Sequence, residues 1–481
     1  MKVLFTYIPQ PFSKKGYLLV SQNRFTKWRG TKELIYPLIP ASGLTLLDLK
    51  GYEVYYLDCI FEEIDEKNFF EYIENLKPDI IFTETKTPII KYHWIISEKI
   101  KRKFPQIITC IIGDHITVLP EETMKNSKFD FVLTGGDFDF YMLQLVQFLS
   151  GKEKIPSGLW YREKNGKIKN TGKFILIDNL DSLPFINREI VPWKNYHEAW
   201  RISENFMYLS GSRGCPYRCT FCSWPQMLFD NKIRYRSPEN IVNEIEFLVK
   251  KYKTEEFFFD DDTFTFNKKW CIEICEEIIK RNLKIMWSCN GRVDNVDEFL
   301  LKKMKDAGCR LIKYGVESYS QYTLNKIKKG YTIQQVKKAF SLTKKRKILI
   351  HATAMIGFPW ETRKDILNTI GFIKSLKPDT CQFSIPITYP GTELFKEAEE
   401  KNWLKFNYNW EKYDMSLPTL KNLYLSDDKL VKLCKLAWGK IYLDPLFILR
   451  KVLRIRTISE VKWLIRGFIS FLFGHVKPIQ K

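Results

Sequence analysis

The chain has 481 residues, 45% hydrophobic and 28% charged, which is length for about three domains and globular rather than disordered composition. Its 77 Lys and Arg against 56 Asp and Glu leave a net charge of +21, compatible with nucleic acid, an acidic membrane surface or phosphorylated substrates as partners. The eleven cysteines do not form a small secreted disulfide framework, the first residues MKVLFTYIPQPF are not a signal peptide, and every 18-residue apolar window carries charge. A reducing cytoplasmic location is therefore expected, and a membrane span is not.

Short apolar runs of the buried parallel-strand type lie at 3–8, 54–59, 79–83, 107–112 and 131–134. Helix-like stretches follow them at 41–50, 67–76, 89–103, 119–126 and 137–149, and the alternation predicts a doubly wound α/β domain over residues 1–150. Ligands of such a sheet sit beyond the carboxyl ends of its strands. Residues 151–205 read as a connector, with 158–162 and 173–177 flanking the hairpin signal Asn165-Gly166.

From 206 to 402 the strand-then-helix period recurs six times. Strands are predicted at 207–212, 256–260, 285–289, 310–316, 349–356 and 381–388, and helices at 238–251, 267–281, 296–307, 332–345, 362–376 and 391–401. Six units make a partial (β/α)6 barrel, whose active site belongs at the carboxyl ends of the strands. Those ends are polar: Asp260-Asp261-Asp262, then Asn290 and Arg292, Glu317-Ser318, and Gly357 to Glu361.

Residues 403–481 are expected to be helical, with a helix at 427–439. From 435 onward there are ten Lys and Arg against two acids, set every few positions among Leu, Ile, Phe and Trp. That composition suits a helix lying in a membrane interface, and equally a helix packed on the open side of the barrel with its basic face in water.

The stretch that organises the chain is Arg213-Gly214-Cys215-Pro216-Tyr217-Arg218-Cys219-Thr220-Phe221-Cys222. Three cysteines at C-x3-C-x2-C spacing have no fourth Cys or His nearby to close a structural zinc site. Three thiolates on an iron-sulfur cube instead leave one iron open. The other cysteines are scattered or, like Cys271 and Cys275, at helical spacing, so one cluster is expected.

This motif, with Phe221 before its third cysteine, resembles the radical S-adenosylmethionine (SAM) signature. The resemblance implies that Cys215, Cys219 and Cys222 hold a 4Fe-4S cluster whose open iron chelates SAM, and that reductive cleavage of SAM yields a 5'-deoxyadenosyl radical. It places Asp260, Asp261 and Asp262 near the SAM amino group, Asn290 and Arg292 on the ribose and carboxylate side, Glu317 and Ser318 at the strand-four motif, and Gly357 and Glu361 beside the adenine.

The first 150 residues resemble the cobalamin-binding domain of such enzymes. The matching segments contain Gly113 and His115 after the fourth strand and Gly135 and Gly136 after the fifth, where small residues would let backbone approach a corrin. The loop after the first strand, Gln10 to Gly16, lacks the Asp-x-His-x-x-Gly of cobalt-ligating domains, so a bound cobalamin would have no histidine on its lower face. The runs Cys222 to Gln226, Phe259 to Thr265 and Trp287 to Asn290 look most like the branch of hopanoid head-group enzymes. That likeness implies ring contraction, cyclisation or carbon–carbon bond formation on a lipid or lipid head group, with reduced flavodoxin or ferredoxin as electron donor. The alternatives are a cobalamin-dependent C-methyltransferase, a nucleic-acid-modifying enzyme and a non-catalytic corrinoid sensor. No RNA-reading appendage is visible, and nucleic acid is not the expected partner.

Overall fold

The computed structural model describes residues 1–453 except 11–15, 19, 21–27, 30–31, 164, 199 and 416, together with 461 and 465. Two sheets dominate it, one mixed and one parallel. The first runs in the order Glu53–Asp58, Lys2–Tyr7, Ile80–Thr85, Ile108–Gly113, Phe131–Leu133, Leu159–Arg162, Ile168–Asn170. Its first five strands are parallel, and Ile80–Thr85 is buried along its whole length, as expected where helices cover both faces.

The last two strands are antiparallel and come from the stretch read as a connector. The hairpin pairs with Phe131–Leu133 and so belongs to the first sheet. Its second arm is Ile168–Asn170 rather than 173–177, because the short Asn165-Gly166 turn sets the register Arg162 to Ile168.

The second sheet has six parallel strands in chain order: Phe206–Leu209, Glu256–Phe259, Met286–Gly291, Cys309–Glu317, Leu349–Met355 and Thr380–Ser384. Its end strands do not pair with each other among the described residues, so the sheet stays open. Each surrounding helix begins on a side-chain cap: Ser237, Asn267, Asp297, Thr332, Thr362 and Thr392 each accept the backbone N–H three residues on. Capping fixes where each helix starts, and hence the length of loop left at each strand end.

The first strand is shorter than its apolar run. It ends at Leu209, and Ser212–Arg213 turns away to form a two-stranded ribbon with Arg234–Tyr235. Helix Asp427–Tyr442 packs on Arg363–Leu376 and on edge strand Thr380–Ser384, where the Tyr442 hydroxyl donates to the Cys381 carbonyl at 2.7 Å. The open edge is thus covered by the tail's first helix. Pro445–Val452 follows, and most of the predicted amphipathic segment beyond it lies outside the described residues. Among the described residues, no helix is long and apolar enough to cross a membrane.

Candidate active site at the cysteine loop

The loop from Cys215 to Cys222 begins at the ribbon and ends at the helix Ser223–Leu228. Gly214 has φ +87°, and a Cβ there would penetrate the carbonyl oxygen of Lys232 on the opposite arm, so only glycine permits this entry. The backbone N–H of Cys222 donates to the Cys219 carbonyl at 3.0 Å, and Gln226 Nε2 donates to the carbonyls of Cys219 and Cys222 at 2.8 and 2.6 Å. Thr220 ties the loop to two other parts of the barrel: its N–H donates to Ile327 O, and its carbonyl accepts from Leu394 N.

Cys215 and Cys219 are buried and Cys222 is half-buried. Burial pushes the Cys215 thiol up to about 12, with the Asp262 charge adding to it, and pushes Cys222 well above the ordinary thiol range, with Cys219 and Asp262 adding. Such thiols ionise when a metal replaces the proton, which is the donor chemistry an iron-sulfur cluster needs. Among the described residues, no three His, Cys, Asp or Glu side chains converge as they would on a single metal ion. A cube, whose ligands bind three different irons, requires a wider triangle of sulfurs than zinc does.

The flank beside Cys219 is cationic. Arg292 lies with its guanidinium 3.4 Å from the Tyr217 ring centroid, donates to Asp294 at 3.0 and 2.9 Å and to the Lys329 carbonyl at 2.6 Å, and brings Nη1 to 4.0 Å from the Cys219 sulfur. Lys329, buried, stands 5.5 Å from the Phe221 ring centroid and donates to Glu317 Oε1 at 2.9 Å. Desolvation alone would lower its pKa, but Glu317 raises it and keeps the ammonium charged. No sequence pattern marks Lys329. Only the fold brings it beneath the third-cysteine aromatic.

The acidic run divides. Asp261 accepts from the Gly211 N–H at 3.1 Å and the Ser212 hydroxyl at 2.5 Å, so it braces the chain entering the ribbon. Burial pushes it up to about 6 against those hydrogen bonds. Asp260 is buried, whereas half-buried Asp262 is the carboxylate whose field reaches Cys215 and Cys222. Asn290 donates to the Asp261 carbonyl at 2.8 Å and is a strut between strand ends.

At the strand-five end the expected adenine contacts are internal ones. Glu361 accepts from the N–H groups of Gly357 and Phe358 at 2.8 and 3.1 Å and from the Ser318 hydroxyl at 3.2 Å. Glu361 and Ser318 are buried, and their hydrogen bonds shape the turn. Gly357, at φ +96°, receives Leu430 of the tail helix, and Asn422 donates to the carbonyls of Phe358 and Glu361 at 2.7 and 3.0 Å. The tail therefore buttresses the site, a role no motif announced. Glu317 has φ +61°, at a register shift between Gly315 and Glu317, which turns its carboxylate toward Lys329.

In the first domain, the carboxyl edge of the sheet faces the helix after Cys222. The four residues expected to meet a corrin each also contact protein. Gly113 lies against the Thr85 backbone, Gly135 against the Phe174 ring and Gly136 against the Phe229 ring. His115 is buried, with Nδ1 3.2 Å from Thr87 Oγ1, Nε2 3.2 Å from Glu122 Oε2 and its ring edge-on to Trp410. It braces a loop through side chains rather than through backbone, and neither nitrogen is turned outward. Between the domains a cleft of about 680 Å³, open solvent included, runs from Leu38, Ile39 and Ser42 past Pro184 to Gly214 and Asp262. The buried Ser42 hydroxyl on its wall has no protein partner, a donor free for a ligand.

An open six-stranded parallel sheet, three cysteines in one loop beyond its first strand and a Rossmann-like domain against that loop fit an iron-sulfur enzyme. Residues 209–373 match the Radical SAM superfamily, and the chain belongs to it. An uncharacterized methyltransferase of Pyrococcus horikoshii is 31% identical over 439 residues, covering 91% of this chain and 94% of that protein. The anaerobic magnesium-protoporphyrin IX monomethyl ester cyclase of Rubrivivax gelatinosus is 28% identical over 407 residues, covering 83% and 72%. The structure of the cobalamin-dependent S-adenosylmethionine radical enzyme OxsB with aqua-cobalamin bound superposes with a TM-score of 0.71 at 16% identity, covering 98% of this chain and 72% of that one. That likeness establishes a shared two-domain fold. Family membership makes the chain a radical SAM enzyme, with a 4Fe-4S cluster and SAM as its cofactors.

Proposed function

We propose that the protein is a corrinoid-assisted radical SAM enzyme that methylates an unactivated carbon. The observation that carries this reading is the juxtaposition of the buried cysteine loop with the carboxyl edge of the first sheet, where Trp224, two residues past Cys222, meets Lys86 of that edge. The methyltransferase relative, which spans nearly the whole chain, supports it. On this reading Cys215, Cys219 and Cys222 hold the cluster, Asp262 lies toward the SAM ammonium, and the Arg292 and Lys329 flank lies toward its carboxylate. The interdomain cleft, with the Ser42 hydroxyl, receives part of the corrinoid. The cofactors supply a 5'-deoxyadenosyl radical and a transferable methyl group when bound, given an electron from a reduced flavodoxin or ferredoxin. The chain's own work is to bury the loop away from water, to balance negative charge beside Cys219, and to hold the strand-five turn through Glu361.

A second reading, cyclisation or rearrangement of a lipid-borne substrate, is favoured by the tail. Leu446, Leu449, Val452 and Leu453 are more than half exposed on and just after a helix that carries Arg450 and Lys451. Such a surface fits peripheral contact with an anionic bilayer. The cyclase relative is in keeping with ring-forming chemistry. Product analysis with anaerobically reconstituted enzyme separates the two: methylation yields S-adenosylhomocysteine and a heavier product. Recovery of methionine and 5'-deoxyadenosine alone, with a product of unchanged methyl content, would overturn the first reading.

A further inference from the structure

Both ends of the cysteine loop are bolted to the first domain through buried charge. At the entry, Arg213 lies two residues before Cys215. Its Nη1 reaches Asp137 Oδ1 at 3.0 Å and Asp139 Oδ1 at 2.9 Å, and its Nη2 reaches Asp139 Oδ2 at 2.5 Å. Arg234 stands directly opposite Arg213 on the ribbon. It clasps both oxygens of Asp137 at 2.5 and 2.9 Å and donates to the Ile177 carbonyl at 2.5 Å. All four side chains are buried, and the two acids come from the start of the helix that follows the fifth strand of the first sheet. Asp137 sits between guanidiniums that would otherwise repel across the ribbon. Despite burial, Arg213 and Arg234 hold its carboxyl below the usual carboxylate range.

At the exit, Lys86 Nζ lies 4.1 Å from the Trp224 ring centroid while paired with Asp114 at 3.1 Å and Glu84 at 3.7 Å. The Phe229 ring closes on Gly136 between these two anchors. A buried ion network of this kind adds little to stability over apolar packing of the same volume, but it fixes geometry, because each charge tolerates only one arrangement of partners.

We propose that Asp139, acting through Arg213, is a positioning residue of the first domain that sets where Cys215 stands and so how firmly the cluster is held. The proposal rests on the assignment of Cys215, Cys219 and Cys222 as cluster ligands. The planar fork of Arg213 is what the two acids read, so a lysine, though charged, cannot replace it.

The test compares wild type, Asp139→Asn and Arg213→Lys after anaerobic reconstitution. It measures iron per chain, the rate of iron loss to a chelator, the EPR spectrum of the reduced cluster, and the thermal midpoint of the cluster-free protein. Both variants are expected to load iron but to lose it about tenfold faster or more, as outer-shell substitutions at metal sites do, and to shift the EPR lines. Wild-type loss rates and EPR lines in both, whatever the thermal midpoint, would overturn the proposal, since a merely stabilising network would move only the midpoint. Failure of every variant and of wild type to load iron would instead count against the ligand assignment. Should Asp139→Asn and Arg213→Lys not fold, Asp139→Glu keeps the buried charge but displaces the carboxylate from the Arg213 fork. Faster iron loss there supports the proposal, and an unchanged rate refutes it.

Discussion

Replacing Gly214 by alanine tests whether the entry to the cysteine loop is set by backbone geometry. A non-glycine residue in the left-handed region costs about 1–2 kcal/mol. Alanine recovers about 0.4–1 kcal/mol of that by restricting the unfolded chain, leaving a net loss of about 1 kcal/mol from conformation alone. Gly51 isolates that contribution, because it has φ +81° and nothing within 4 Å of a Cβ built on it. At Gly214, φ is +87° and the Cβ would strike the Lys232 carbonyl, which is backbone of the opposite ribbon arm and cannot swing aside. The turn must retreat by on the order of 1 Å, twice the roughly 0.5 Å within which ligand constellations hold their geometry. Gly51→Ala should therefore lose about 1 kcal/mol in urea unfolding and bind iron as wild type does. Gly214→Ala should lose more stability and fall well below the about four irons per chain of one cube after anaerobic reconstitution. Equal destabilisation of the two variants, with full iron in Gly214→Ala, would refute the argument.

Single replacements of Cys215, Cys219 or Cys222 by alanine should each abolish the cluster absorbance and SAM cleavage. Cys271→Ala should keep both, because the Cys271 thiol is spent on the Phe264 carbonyl at 2.9 Å inside the barrel's packing. Burial pushes Glu361 from 4.5 up to about 7, so the folded state holds its proton more tightly than the unfolded chain does. The associated stability is complete below about pH 4.5 and is lost as pH rises to about 7, a change of about 3 kcal/mol. Glu361→Gln should flatten that window in unfolding curves at pH 4.5 and 7, and an unchanged slope would refute the assignment. Leu446, Leu449 and Val452 are exposed, so their joint replacement by Glu should leave the thermal midpoint alone and reduce flotation with anionic vesicles. Equal flotation of variant and wild type removes the bilayer reading.

The sequence by itself determined the order of the elements and the place of the chemistry. Strand and helix periods are local, so the six-strand barrel and the five parallel strands of the first sheet could be read from apolar runs. The C-x3-C-x2-C spacing is local too, because eight residues entered through Gly214 can bring three thiols to one loop. What only tertiary structure decided were the partners of polar groups. Glu361 and Ser318, at the ends of different strands, bond each other. Gly135 and Gly136 lie against phenylalanine rings. His115 is fixed by Thr87 and Glu122, while Lys329, which no motif marked, lies beneath Phe221. The hairpin after residue 158 joined the first sheet because pairing with Phe131–Leu133 satisfies an edge that a linker would leave open. Periodicity records which face of an element is buried, but which donor meets which acceptor depends on residues in other elements, 74 positions away for Asp139 with Arg213 and 288 for Glu122 with Trp410, and only the folded chain brings those together.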